Sequence, residues 1–200
     1  INNYPILDEL NLHVPWLDKA KEICYLGGIT HIRGIKEVVK SLGYTDGVRL
    51  NLAGKFSESD VEKEVKSWPE WQQVNELGLI SRESVAEVLG SSKVGIVTFH
   101  ACPNHVDAQP NKMFEYMSAG LPIIASNFPM WKDVVEGNDC GICVDPMDPA
   151  EIGKAIKHLI DNPAEAERKS RNGYNAVVRK YNWPAEEVKL FKLYESVLFI

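Results

Sequence analysis

The chain has 200 residues, 44% of them hydrophobic and 25% charged. That is the size and balance of one globular domain with a sizeable core. A net charge of −6 argues against nucleic acid as a partner, and no run of about 18 apolar residues offers a membrane-spanning helix.

The first residues, Ile1-Asn2-Asn3-Tyr4-Pro5, carry no initiator Met and no basic-then-apolar leader, so a fragment without a signal peptide is expected. Residues 1–20 are irregular, broken by Pro5 and Pro15. Glu22–Leu26 reads as a first strand, ended by Gly27-Gly28. Ile32 to Leu42 has helical apolar spacing, with Gly43 as its stop. Val48–Ala53 is a second strand. A polar helix opens at Ser57 and runs to about Ser67. Val74–Leu77 is a third strand before Gly78, and a helix follows to Leu89 with Ser81 or Ser84 as its cap. Lys93–Phe99 is a central strand, and His100–Gln109 is a polar loop.

Next comes Pro110-Asn111-Lys112-Met113-Phe114-Glu115-Tyr116-Met117-Ser118-Ala119-Gly120-Leu121-Pro122. Met113, Phe114, Met117 and Leu121 recur at helical steps. Pro110 suits a helix start and Gly120 its end. Ile123–Ala125 reads as a buried strand. Further elements are a helix from Pro129 to Glu136, a strand Gly141–Val144, a helix from Asp148-Pro149 to Ile160, and another from Pro163 to near Lys180. A last helix after Trp183-Pro184 carries Leu190, Phe191, Tyr194 and Leu198. Six short strands alternating with helices predict an α/β fold, a Rossmann-like doubly wound parallel sheet with extra C-terminal helices. Ligands of such sheets bind at the carboxyl ends of the strands.

Among those loops, Gly27-Gly28 followed by Arg33 allows close approach of an anion and a bidentate hold on it. The pattern is not GxGxxG, so no dinucleotide site is read. Lys112 is either a point charge for an anion or a solvated first-turn lysine. His100 and His105 are either solvated or contacts to phosphate or sugar. Cys140-Gly-Ile-Cys143 has CxxC spacing, but no second ligand pair suggests zinc. No Asp-x-Asp pair suggests another metal. Reduced cysteines in a cytoplasmic protein are the expectation.

The stretch from Pro110 to Pro122 resembles the nucleotide-sugar-binding half of GT-B glycosyltransferases, nearest the retaining group called family 4. The resemblance runs from about Cys24 to the C-terminus. It implies that residues 21–200 form the C-terminal, donor-binding domain and that residues 1–20 are the linker from a missing N-terminal acceptor domain. It implies a nucleotide sugar as donor, a hexosyl-type transfer without metal or other cofactor, and a role in surface polysaccharide assembly. Any peripheral membrane association would run through the missing half, and the isolated domain would be inactive. Gly28, Arg33 and the backbone amides of Asn111, Lys112 and Met113 would hold the diphosphate, and Leu79 or Ile80 would meet the base. Glu115 would hold the ribose, and Asp107, eight residues earlier, would face the donor sugar. Gly28 stands where the family usually has a second cation, and Asp107 where it has Glu. Those departures suit an alternative, a non-catalytic nucleotide-binding or interaction module. A nucleotide-sugar epimerase half is a third possibility.

Overall fold

The computed structural model describes residues 1–7, 9–10 and 14–198. One parallel sheet organises the chain. Its strands are β1 (Glu22–Leu26), β2 (Arg49–Ala53), β3 (Val74–Gly78), β4 (Val94–Val97), β5 (Ile123–Ser126) and β6 (Gly141–Val144), in the order β3-β2-β1-β4-β5-β6. All neighbouring pairs are parallel. The expected doubly wound α/β fold is what the structure has. The order reverses between β1 and β4, which makes their carboxyl ends the natural ligand crevice.

Alternation along each strand feeds two cores. Cys24 and Leu26 of β1 join one apolar cluster, whereas Ile23 and Tyr25 join the other. The first cluster is closed by α3 (Arg82–Ser91), α5 (Asn111–Ser118), α6 (Pro129–Val135) and α8 (Pro163–Arg179). The second is closed by α1 (Ile35–Ser41), α2 (Ser59–Lys66) and α7 (Pro149–Asp161). The four-residue turn α4 (Pro103–Val106) lies in the loop after β4, and α9 (Trp183–Leu198) ends the described chain. Along α9, Val188, Phe191, Tyr194 and Leu198 are exposed. Among the described residues no helix is long and apolar enough to cross a membrane.

Caps follow the sequence where the side chain is local. Ser81 Oγ accepts the Ser84 N–H at 3.2 Å, and Asp148 Oδ1 accepts those of Ala150 and Glu151. The helix expected from Ile32 instead begins at Ile35, after a single 3-10 turn, His31–Arg33. Gly34 causes the break. It is left-handed (φ +77°), and a Cβ there would run into the Thr98 carbonyl oxygen. β4 likewise stops at Val97, since the His100 N–H turns aside to the Ile32 carbonyl. All four cysteines are free. Burial pushes the Cys24, Cys140 and Cys143 thiols up to about 12, so they stay protonated at neutral pH.

Candidate functional site

A cleft of about 540 Å³ opens at the reversal point. It is lined by Leu26 and Gly27 after β1, Phe99 after β4, Arg82 and Val85 of α3, and Lys112 and Glu115 of α5, with Arg33, His105 and Trp131 closing it. Tyr116 fixes α5 against the sheet. Its hydroxyl accepts the Leu26 N–H at 3.0 Å and donates to the Ile96 carbonyl at 3.4 Å. Gly95 makes room for the Tyr116 ring, which any Cβ there would strike.

Lys112 extends from the first turn of α5 to the Gly27 backbone. A Cβ on Gly27 would lie 3.5 Å from its Nζ. The ammonium sits 4.2 Å from the centroid of the Tyr25 ring and 5.2 Å from that of Phe99. It is buried and has no hydrogen-bond partner among the described residues. Burial and the nearby Arg33 bring its pKa down from 10.5 to about 7. The solvated-lysine alternative is therefore corrected: the charge is held dry. A buried cation without a partner is costly unless an anion joins it.

Arg33 lies beside it. Its guanidinium reaches the Gly28 carbonyl at 3.4 Å and covers the Phe99 ring at 5.5 Å. A Cβ at Gly28 would come within 2.7 Å of the Arg33 terminal nitrogen, so any side chain there pushes the guanidinium aside. Of the three amides expected for phosphate, the Met113 N–H is already bonded to the Pro110 carbonyl at 3.0 Å, and its side chain is in the core. That part of the expectation is corrected, and the cleft contains Asn111 and Lys112.

Glu115 is at the cleft's other wall. Its Oε1 accepts from Arg82 Nη1 at 2.8 Å, while Arg82 Nε and Nη2 fork onto the two oxygens of Glu9 at 3.1 and 2.9 Å. These carboxylates hold the Arg82 pKa well above its ordinary value, Glu9 most strongly. The sequence offers no sign of this triad, because its members lie 33 and 73 residues apart.

Asp107 is exposed and lies outside this cleft. It lines a neighbouring one of about 360 Å³ with Asn2, Asn3, Tyr4 and Gln109, and Asn111 is common to both. Leu79 is 79% exposed just beyond β3, while Ile80 packs on the core; neither lines the main cleft. His100 and His105 are buried. His100 Nε2 meets Glu37 at 2.9 Å, and His105 Nδ1 meets the His100 carbonyl at 3.0 Å. A solvated role for either is excluded. Among the described residues no cluster of His, Cys, Asp or Glu could hold a metal ion.

A model of the family described as "Glycosyl transferases group 1" matches residues 13–176. The chain belongs to that family. Glycogen synthase of Mycobacterium tuberculosis is 20% identical over 167 residues, 81% of this chain and 39% of that protein. Phosphatidyl-myo-inositol mannosyltransferase of Mycobacterium leprae is 25% identical over 156 residues, 76% of this chain and 39% of that one. The chain thus spans about two fifths of these relatives. Among solved structures, Anabaena HepE in complex with UDP-glucose superposes with a TM-score of 0.78 at 15% identity, covering 90% of this chain and 50% of that one. The C-terminal domain of a group 1 glycosyl transferase (LpcC) from Francisella tularensis superposes at 0.70 with 18% identity, over 90% and 96%.

Proposed function

We propose that this chain is the donor-binding half of a retaining, metal-independent glycosyltransferase of the family 4 kind. It would hold a nucleoside-diphosphate sugar for transfer to an acceptor hydroxyl, with a place in surface polysaccharide assembly inside the cell. Lys112 carries the reading. Its buried ammonium, without a hydrogen-bond partner among the described residues, lies at the Gly27 edge of the cleft at the switch point, beside a second cation, Arg33. A diphosphate supplies the missing anion, and the two cations stabilise the charge that develops on it as the sugar leaves. Glu115 accepts the ribose hydroxyls. Exposed Leu79 is the apolar contact for the base, and Asp107 at the adjoining cleft serves the sugar or acceptor side.

Residues 1–20 act as the linker from an N-terminal acceptor half, and the exposed face of α9 offers that half an apolar surface. Relatives matched over two fifths of their length support such a second half. HepE, solved with UDP and with UDP-glucose, makes UDP the first probe. A thermal-shift titration with UDP, GDP, ADP and CMP tests the reading. One diphosphate at 100 times its Kd stabilises the wild type by about 2.7 kcal/mol, and Glu115→Ala abolishes the shift. No shift with any of the four at millimolar concentration overturns the donor site and favours the interaction-module alternative.

A further inference from the structure

The reading above uses Glu115 but not the Arg82–Glu9 pair bonded to it, and Arg82 lines the same cleft. Glu115 is an eight-residue helix's mid-point carboxylate, and its side chain is 21% exposed. A glutamate there has several rotamers, and only a fixed one presents the same oxygens to a ligand each time. Arg82 fixes it from the first turn of α3, a different element, with a 2.8 Å charge-assisted bond to Oε1. Arg82 is fixed in turn. Two of its nitrogens are forked onto Glu9 in planar bidentate geometry, which leaves Nη1 aimed at Glu115. A carboxylate oxygen has more than one lone pair, so Glu115 keeps acceptor capacity for hydroxyls while Arg82 holds it. A small cleft of about 180 Å³ is walled by Glu9, Arg82, Asn111 and Glu115 together with residues 3–6, so the N-terminal segment lies against the same wall.

We infer that Arg82 is a positioning residue of the donor site, orienting the Glu115 carboxylate for the vicinal hydroxyls of a ribose, and that Glu9 locks Arg82 in that pose. The inference rests on the donor-site reading and adds the residue that determines selection of ribose over deoxyribose. Arg82 acts through Glu115, so its loss removes recognition of the sugar hydroxyls and spares recognition of the phosphates.

The test is calorimetric titration of the wild type, Arg82→Gln, Arg82→Lys and Glu9→Gln with UDP, 2′,3′-dideoxy-UDP and inorganic pyrophosphate. The wild type is expected to prefer UDP over the dideoxy analogue by about tenfold or more, the worth of one hydrogen bond to a charged group. Arg82→Gln brings that ratio close to one by weakening UDP alone, with dideoxy-UDP and pyrophosphate within about twofold of wild type. Glu9→Gln lies between, and Arg82→Lys restores part of the preference. An equal fall for all three probes means that Arg82 is only one more cation of the cleft, and overturns the inference. A lowered melting temperature with unchanged affinities means a structural role, and overturns it too. If the wild type binds none of the probes, the donor-site reading falls and takes this inference with it. If the wild type binds and the variants leave the UDP preference intact, only this inference falls. Should Arg82→Gln fail to fold, Glu9→Gln and Arg82→Lys decide by the same ratio.

Discussion

Replacing Lys112 by Met removes a charge and keeps the length of the side chain, and two effects then oppose each other. The lysine's pKa is lowered from 10.5 to about 7 by burial first and by Arg33 second. At about 1.36 kcal/mol per unit that is about 5 kcal/mol, and about 4 kcal/mol at pH 7, where the folded group is half protonated. Loss of the contacts to Tyr25 and Phe99 returns about 1–2 kcal/mol of that gain. The ligand-free variant should therefore be about 2–3 kcal/mol more stable than the wild type at pH 7, a melting temperature higher by roughly 5–10 °C. The sign of the pH dependence follows. Below about pH 7 folded and unfolded chains both carry the charge, and the wild type bears the full penalty. Between about 7 and 10.5 only the unfolded chain keeps the proton, so wild-type stability rises through that window while the variant's does not. Nucleoside-diphosphate affinity moves the opposite way. It needs the ammonium, falls about tenfold per unit above pH 7 in the wild type, and is largely lost in the variant. Scanning calorimetry from pH 6 to 10, with and without UDP, reads all of this. A variant that is less stable at pH 7 and binds UDP as the wild type does would refute the reasoning.

Other substitutions separate the site from its scaffold. Gly28→Ala displaces only the flexible end of Arg33, so its stability should stay within about 1 kcal/mol of wild type while UDP affinity falls in a titration. Gly34→Ala forces a left-handed backbone and a Cβ onto the Thr98 carbonyl. It should destabilise by more than about 3 kcal/mol in urea unfolding, and a near-neutral result would contradict the account of the broken first helix. Tyr116→Phe leaves the buried Leu26 N–H without its acceptor and should cost about 1–3 kcal/mol. The same variant should weaken nucleotide binding, because α5 loses its tie to β1.

The sheet was legible where a short run is closed by Gly or Pro, as β1 is by Gly27, β2 by Gly54 and β6 by Asp145-Pro146. Glu22–Leu26 and Gly141–Val144 are placed as the sequence reads. Boundaries set by distant groups were not. Glu58, not Ser57, caps α2, and its carboxylate is engaged by the His31 N–H at 2.7 Å. The helix expected from Ile32 starts late because of Thr98, 64 residues past Gly34 in sequence. In the site, Gly28, Arg33 and Lys112 could be named from local chemistry, whereas Asn111 and Glu115 came with the family resemblance. Lys112's burial could not, since it depends on Tyr25 of β1 and Phe99 of the loop after β4. Arg82 escaped altogether. In sequence it is an ordinary first-turn residue, and only the fold, which sets α3 and α5 over the same apolar cluster, brings it to Glu115. Asp107 came from the spacing of the family motif it resembles, and such spacing does not say which side of a loop a side chain takes.

The most direct measurement is a crystal structure of the chain with bound UDP. The account predicts Lys112 Nζ and the Arg33 guanidinium within about 3.2 Å of diphosphate oxygens, and the ribose hydroxyls donating to Glu115. UDP elsewhere on the molecule, or in the cleft with Lys112 still without an anion, would contradict it.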